Sequence, residues 1–241
     1  MNKEPVLPDF NLTKITYKSN IMNIQYYGHS CFKITTKPEG RGANDVVAFF
    51  DPFDKSIGIK PPQGQADVVF VSHTQHADHN NTGSIKGGPV VIDTPGEFVV
   101  KGMNVIGVDT FHDKEEGALR GRNTVFVVET ENMRICHMGD IGIEPTPEDL
   151  EKIGEIDILM IPVGGNFTID GKEASKLVHK IEPKMVIPMH FKDNNVKVEI
   201  ADETEFCEEM GNCPKSKVSR ITLKKSDLSE KNMDVLLMNI Q

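Results

Sequence analysis

The stretch "VVFVSHTQHADHNNTG", residues 68 to 83, places His73, His76 and His79 within seven positions, with Asp78 among them. The whole chain has eight histidines, so a group this dense calls for a chemical reason. Neutral imidazole and carboxylate oxygen are the usual ligands of zinc and similar divalent ions. A recurring feature strengthens the reading. Apolar runs end in residues of the same kind: "AFFD" in Asp51, "VFVSH" in His73, "VDTFH" in His112, "CHMGD" in Asp140 and "IPMH" in His190. A lone histidine at the end of a strand is ordinarily a hydrogen-bonded structural residue. Five such endings, beside the cluster, point instead to side chains that rigid strands bring to one crevice although they are far apart in sequence.

The elements that must do this positioning follow from the apolar pattern. "NIQYYGH", "CFKITT" and "VVAFFDP" are short runs of strand-forming residues separated by turn signals such as "KPEGRGAND". "ADVVFVSH" is continuously apolar, as a strand buried on both faces requires. The strand pattern continues through "PVVIDTPGEFVVKGMNVIGVDTFH", and "NTVFVVET" with "MRICHMGD" predicts a hairpin turning near "ENM". Helices fall in the second half. Thr146 with Pro147 and Asp149 makes one start, and Asp170 with Glu173 makes another. In the second of these, Ala174, Leu177, Val178 and Ile181 fall on one face. That helix separates "IDILMIPVGG" from "KMVIPMHF", a β-α-β unit. A further helix is expected over "ETEFCEEMG", and two last strands in the tail. The chain is predicted to be α/β (α+β): an extension over residues 1–20, then one domain over 21–241.

Composition narrows the function classes. With 241 residues, 38% hydrophobic and 26% charged, the chain can bury a full core. Its net charge of −9 disfavours extended contact with a phosphate backbone, so no nucleic-acid partner is expected. No apolar stretch approaches the ~20 residues of a membrane span, and the start lacks the apolar segment of a signal peptide. Cys31, Cys136, Cys207 and Cys213 are scattered, which fits reduced thiols and a cytoplasmic location better than a disulfide framework. Apolar strand edges are compatible with a homo-oligomer.

Several motifs in order resemble the metallo-β-lactamase superfamily, in particular its small branch related to ascorbate-phosphate lactonase and, more distantly, to N-acyl-phosphatidylethanolamine phospholipase D. "YYGHSCF" is similar to the branch's opening turn, and "FFDPF" carries the first motif's aspartate. "SHTQHADHNN" stands where the family has H-x-H-x-D-H; "TFH", "CHMGD" and "IPMHF" follow as the third, fourth and fifth motifs. The resemblance implies a four-layer αββα sandwich and a hydrolase with two divalent ions, zinc first, manganese or iron as alternatives. A bridging hydroxide would attack a phosphodiester, lactone or other ester of a small substrate. On that template His76 and His112, with one more histidine, would hold one ion. Asp78, His79 and His190 would hold the other, with Asp140 between them. Asp78 would also orient the attacking group. Asp51 would orient the histidine loop by hydrogen bonds.

This chain departs from the template at its first histidine. The pattern wants it at Thr74, and His73 lies one position earlier. Either the loop absorbs an extra residue and His73 points at the metal, or the register is kept and Thr74 weakens the site. The first is preferred, because a loop has no period to forbid a bulge. Of the remaining histidines, His29 is expected at a strand edge in a structural hydrogen bond. His137 should point away from Asp140's face, and His179 should lie at the surface. Substrate contacts are expected from Arg120, Arg122 and Asn123 on the loop after His112, with Lys114 beside them, and from Lys192. The two glycines of "PVGGNFTID" would let backbone approach a ligand closely. Two rival functions remain. One is a catalytically weak protein with a single ion and a structural or ligand-sensing role. The other is a redox di-iron site, set low because His76 occupies a position that reading assigns to an acidic residue.

Overall fold

The strands form where β-branched and aromatic residues alternate or run together between Gly, Pro and Asp. The computed structural model describes residues 21–38, 44–76, 78–193 and 195–241, so the expected extension over 1–20 lies outside the described residues. In chain order the first strands are β1 (Met22–Gly28), β2 (Cys31–Thr36), β3 (Val46–Phe50), β4 (Gly64–Gln65), β5 (Val68–Phe70), β6 (Ile85–Lys86) and β7 (Val90–Ile92). Next come β8 (Gly96–Val100), β9 (Met103–Phe111), β10 (Arg122–Thr130), β11 (Met133–His137) and helix α1 (Pro147–Ile153). The chain then alternates: β12 (Ile158–Pro162), α2 (Gly171–Ile181), β13 (Met185–Met189), α3 (Thr204–Met210), β14 (Ile221–Leu223) and β15 (Asp234–Val235).

These strands build one six-stranded sheet in the order β14-β1-β2-β3-β5-β7 and one seven-stranded sheet in the order β15-β13-β12-β11-β10-β9-β8. The strands β4 and β6 pair separately. Alternation in β1 buries Met22, Ile24 and Tyr26, and these meet residues of the second sheet in one apolar layer. Aromatic rings cross that layer: Phe70 of the first sheet lies 5.3 Å from Phe126 of the second. Continuously apolar β5, β12 and β13 are buried at every residue, as parallel strands covered on both faces must be.

The helices begin where the caps predict. Thr146 and Asp149 form a reciprocal cap with Pro147 inside it, and Asp170 and Glu173 form a second. The apolar face of α2 buries Ala174, Leu177 and Val178. Among the described residues α1, α2 and α3 all follow β11 in the chain. The outer face of the first sheet is covered more thinly. Phe49, Val69 and Val71 pack there under Phe53, Ile85, Val196 and Ile57, which sits in a single 3-10 turn. The architecture is the mixed α/β sandwich expected.

The cysteines depart from expectation. Cys207 and Cys213 are joined in a disulfide, their Cα atoms 5.3 Å apart. The reason is local: α3 ends at Gly211 in the left-handed region (φ 68°), which folds the chain back on the helix's last turn. Cys31 and Cys136 are free and buried. Among the described residues no helix is long and apolar enough to cross a membrane.

Candidate metal centre

The strand ends converge at one edge of the sandwich. Backbone N–H of Thr124, in β10, donates to Ser72 O just beyond β5 (2.7 Å), joining the two sheets there. Three residues immediately after strands adopt left-handed backbone: His29 after β1 (φ 55°), Asp51 after β3 (φ 42°) and His190 after β13 (φ 51°). Such a conformation is uncommon outside glycine and turns each side chain out of the strand's alternation. Close packing needs glycine at this edge. A Cβ on Gly139 (φ 58°) would fall 2.3 Å from Asn123 Oδ1, and one on Gly164 would fall 2.2 Å from His190 O. Gly164 thus serves the approach of two backbone segments rather than of a ligand.

Two donor groups share Asp140. His73, His112 and Asp140 each offer an atom within 4.8 Å of the others, and so do His29, His79, Asp140 and His190. A further group joins His73, Asp78 and His79. The Asp140 carboxylate lies between them. Its Oδ1 is 3.0 Å from His79 Nε2, and its Oδ2 is 3.1 Å from His190 Nε2 and 3.7 Å from His112 Nε2. Backbone and side chains hold it in place: Ser30 Oγ donates to Oδ1 (2.9 Å), and Asp140 N–H donates to Asn123 Oδ1 (2.9 Å).

Buried polar atoms normally find partners. Here both nitrogens of His29, His73 Nε2, His112 Nδ1 and His190 Nδ1 have no hydrogen-bond partner among the described residues. Unpartnered buried imidazole nitrogens beside a buried carboxylate are what a divalent ion would satisfy. Clustered imidazole nitrogens and a carboxylate, buried and short of partners, are donors of the kind that fit a divalent metal ion.

The tautomer of His73 follows from its neighbours. Asp51 is buried and accepts from Ser72 N (2.7 Å) and Ser72 Oγ (2.7 Å). While Asp51 is ionised, the Ser72 hydroxyl gives its proton to that carboxylate and accepts from His73 Nδ1 at 3.0 Å. The lone pair of His73 is then on Nε2, toward Asp140. Thr74, the alternative, is exposed, and its carbonyl accepts from Asn80 Nδ2 (2.8 Å). Asp51 thus fastens Ser72, the residue before His73.

Charge follows burial and contact. Desolvation drives His73 well below the usual imidazole range, with His79 adding to it. For His79 burial pulls downward, but Asp140 and Asp78 more than reverse this, and the net direction is well up. Asp140 is pushed up by burial and down further by His190 and His79, so it stays ionised. Burial raises Asp51 to about 7 against the pull of His79 and Ser72.

The remaining expected site residues separate clearly. His76 is exposed, its ring centroid 6.0 Å from His73 and 6.3 Å from His112, outside every donor group. The extra loop residue is the cause: anchoring His73 at the sheet swings His76 to the rim. Arg120 lines the cavity and stacks on Phe167 at 5.1 Å. Arg122 and Asn123 do not reach it. At the start of β10 they point to opposite faces: Arg122 is exposed and paired with Asp109. Asn123 spends its amide on Thr110 Oγ1 and Met138 O (2.9 Å each). Lys192 donates to Val198 O (2.8 Å) and is likewise engaged elsewhere. Lys114 pairs with Glu173 beside a neighbouring cavity. His137 is buried in the core, donating from Nε2 to Ser30 O (2.8 Å) and accepting Gly139 N–H at Nδ1 (3.2 Å). His179 is exposed on α2.

The donors open onto a cavity of about 210 Å³ lined by His29, His76, Asp78, His112, Arg120 and Phe167, among others. Asp113 shapes its rim. Its carboxylate accepts the backbone N–H groups of Glu115, Gly117, Leu119 and Arg120 (2.6–3.1 Å), tying the loop that carries Arg120. Asp113, Ser30 and Ser72 were not singled out by type or spacing.

The beta-lactamase superfamily domain model matches residues 23–190, from β1 to the last histidine of the site. The chain belongs to this superfamily. It is 31% identical to a UPF0173 metal-dependent hydrolase of Carboxydothermus hydrogenoformans, over 77% of this chain and 90% of the relative. A UPF0173 metal-dependent hydrolase of Thermococcus onnurineus is 26% identical, over 87% of this chain and all of the relative. Among solved structures, a proposed Zn-dependent hydrolase of the superfamily from Thermotoga maritima superposes with a TM-score of 0.68 at 36% identity, covering 91% of this chain and 100% of that one. With these relatives the chain shares the class of metal-dependent hydrolase.

Proposed function

We propose that the chain is a hydrolase with two divalent-ion sites sharing Asp140, acting on a phosphodiester, lactone or other ester of a small substrate. The observation that carries this is the Asp140 carboxylate between two donor groups, one with His73 and His112, the other with His79 and His190. When bound, such a pair of ions lowers the pKa of water towards neutrality and neutralises charge on the oxygen being released. Zinc suits the imidazole-rich set, with manganese or iron as alternatives.

The chain's own residues supply the rest. Asp78 is one-third exposed at the cavity, with Oδ1 3.3 Å from His79 Nδ1, and can orient a water at the mouth of the site. Arg120 offers a guanidinium for an anionic group, and Phe167 behind it holds that guanidinium in plane. The small cavity restricts the reacting part of the substrate to a compact group.

The test is metal content and turnover together. Protein loaded with zinc or manganese is screened on phosphodiesters and lactones, beside Asp140→Asn. Two ions per chain, with turnover lost in Asp140→Asn, are expected. One ion per chain and no hydrolysis in any metal form would favour the mononuclear, non-catalytic alternative, which draws on the rim position of His76.

A further inference from the structure

We propose that His29 is a direct ligand of the ion held by His79, Asp140 and His190. This rests on the two-site reading above and adds to it a residue from the first strand of the fold.

His29 is 2% exposed, and neither ring nitrogen has a hydrogen-bond partner among the described residues. A buried, unsatisfied polar group costs about 1–3 kcal/mol, and here one ring would carry two such atoms. Another buried histidine of this region shows the usual solution: His137 satisfies both nitrogens with backbone groups. His29 has donors of another kind around it. Its ring centroid lies 4.2 Å from that of His190 and 4.5 Å from that of His79. A ring nitrogen lies within 4.8 Å of ligating atoms on His79, Asp140 and His190. Its Nε2 is also 4.0 Å from Asp78 Oδ2, inside the span of about 4.2 Å that one ion can bridge.

The backbone holds the ring in this place. The carbonyl of His29 accepts from His190 N–H (2.7 Å) and from Tyr26 Oη (2.9 Å), so the turn after β1 is fastened directly to the residue after β13. Left-handed backbone at both His29 and His190 turns the two rings toward each other. Gly28 (φ 99°) permits the turn, since a Cβ there would lie 2.4 Å from Ile59 Cδ1. Precise positioning of this kind suits a ligand whose partner is a point charge. A residue that contacted substrate alone would need no such anchoring to another donor.

The experiment compares metal affinity, independent of turnover. Metal-free wild type, His29→Asn and His190→Ala are titrated with cobalt(II) and zinc in competition with a chromophoric chelator. Asparagine tolerates the left-handed backbone at this position. The expected result is two ions in the wild type, and in His29→Asn a loss of at least tenfold in affinity for one of them, with a changed cobalt visible spectrum. His190→Ala should weaken the same ion. If His29→Asn keeps both affinities and the spectrum while His190→Ala loses an ion, His29 is not a ligand and the two-site reading stands. If neither His190→Ala nor His73→Ala alters metal uptake, the underlying reading fails as well. Should His29→Asn not fold, a crystal structure of zinc-loaded wild type decides the matter. A His29 nitrogen about 2.1 Å from an ion supports the inference, and an ion coordinated by His79, Asp140 and His190 with His29 outside bonding distance overturns it.

Discussion

Ser72→Ala tests the logic of the site without touching a metal donor. In the wild type the Ser72 hydroxyl donates to Asp51 Oδ2 (2.7 Å) and receives His73 Nδ1–H (3.0 Å), which leaves the Nε2 lone pair for an ion. Alanine removes that hydroxyl. The Ser72 N–H to Asp51 Oδ1 contact, 2.7 Å, remains, so the strand end keeps its course. What is lost is the preference for one tautomer and the orientation of the ring. His73 Nδ1–H becomes a buried donor without an acceptor, a cost of about 1–3 kcal/mol. The ring can escape that cost by rotating or by moving the proton to Nε2, and either motion withdraws the donor from the ion. The expected loss in affinity is about 10–100-fold, or roughly 1.4–2.8 kcal/mol, the usual range for residues that orient a metal-bound imidazole. The loss should fall on the ion held by His73 and His112 and spare the other. The assay is zinc or cobalt titration of metal-free protein against a chelator of known affinity. An affinity within twofold of wild type for both ions would refute the relay from Asp51 through Ser72 to His73.

Three further outcomes follow from the same geometry. His73→Ala should abolish one ion, whereas His76→Ala should weaken metal binding less than tenfold, because His76 is exposed and outside the donor groups; equal losses by titration would contradict this. Asp113→Ala should leave metal content unchanged and raise KM for anionic substrates several-fold, since it releases the four N–H groups that tie the Arg120 loop; unchanged KM would sink the assignment. Metal uptake by the metal-free chain should release a proton near pH 7. Asp140 and Asp78, against burial, push the His79 pKa well up, which favours a proton that the imidazole must lose to bind an ion. Apparent affinity should then rise with pH until the folded-state pKa of His79 is passed. A pH indicator in weak buffer reads the release, and none at all would argue against His79 as a ligand.

Most of the strands were legible because their apolar runs are bounded by turn residues, and both reciprocal helix caps were legible because Thr146 and Asp170 are followed by an acidic residue at the third position. The histidine cluster and the strand-end carboxylates could be found by type alone. His29 could not. In "YYGHSC" it looks like a strand-edge residue, and its place depends on a left-handed turn and on a backbone hydrogen bond to His190, 161 residues away. No local pattern encodes that distance. Arg122 and Asn123 stand outside the cavity lining for the opposite reason. They are near His112 in sequence, but the strand they begin sends one outward and the other into the wall that holds Asp140. The disulfide escaped notice because Cys207 and Cys213 meet only once Gly211 has reversed the chain.

The site divides into a strained, rigid floor and a rim on loops, and the division has a consequence for specificity. His29, Asp51 and His190 hold left-handed backbone at three strand ends. Each such conformation costs on the order of 1–3 kcal/mol and persists where the surroundings over-determine it. Here the surroundings are two hydrogen-bonded sheets, fastened at this edge by Thr124 N–H to Ser72 O and His190 N–H to His29 O. Donor positions are therefore insensitive to the rim. Arg120, Leu119 and Phe167 shape the cavity from loops, and the Arg120 loop is gathered on the Asp113 carboxylate. Replacing residues 114–120 while keeping Asp113 should then change which esters are accepted without changing metal content. Substitutions at the floor should do the reverse, costing metal before they alter preference. A rim exchange that emptied the metal sites would show that floor and rim are coupled, and the strain would then have to be read as part of substrate binding.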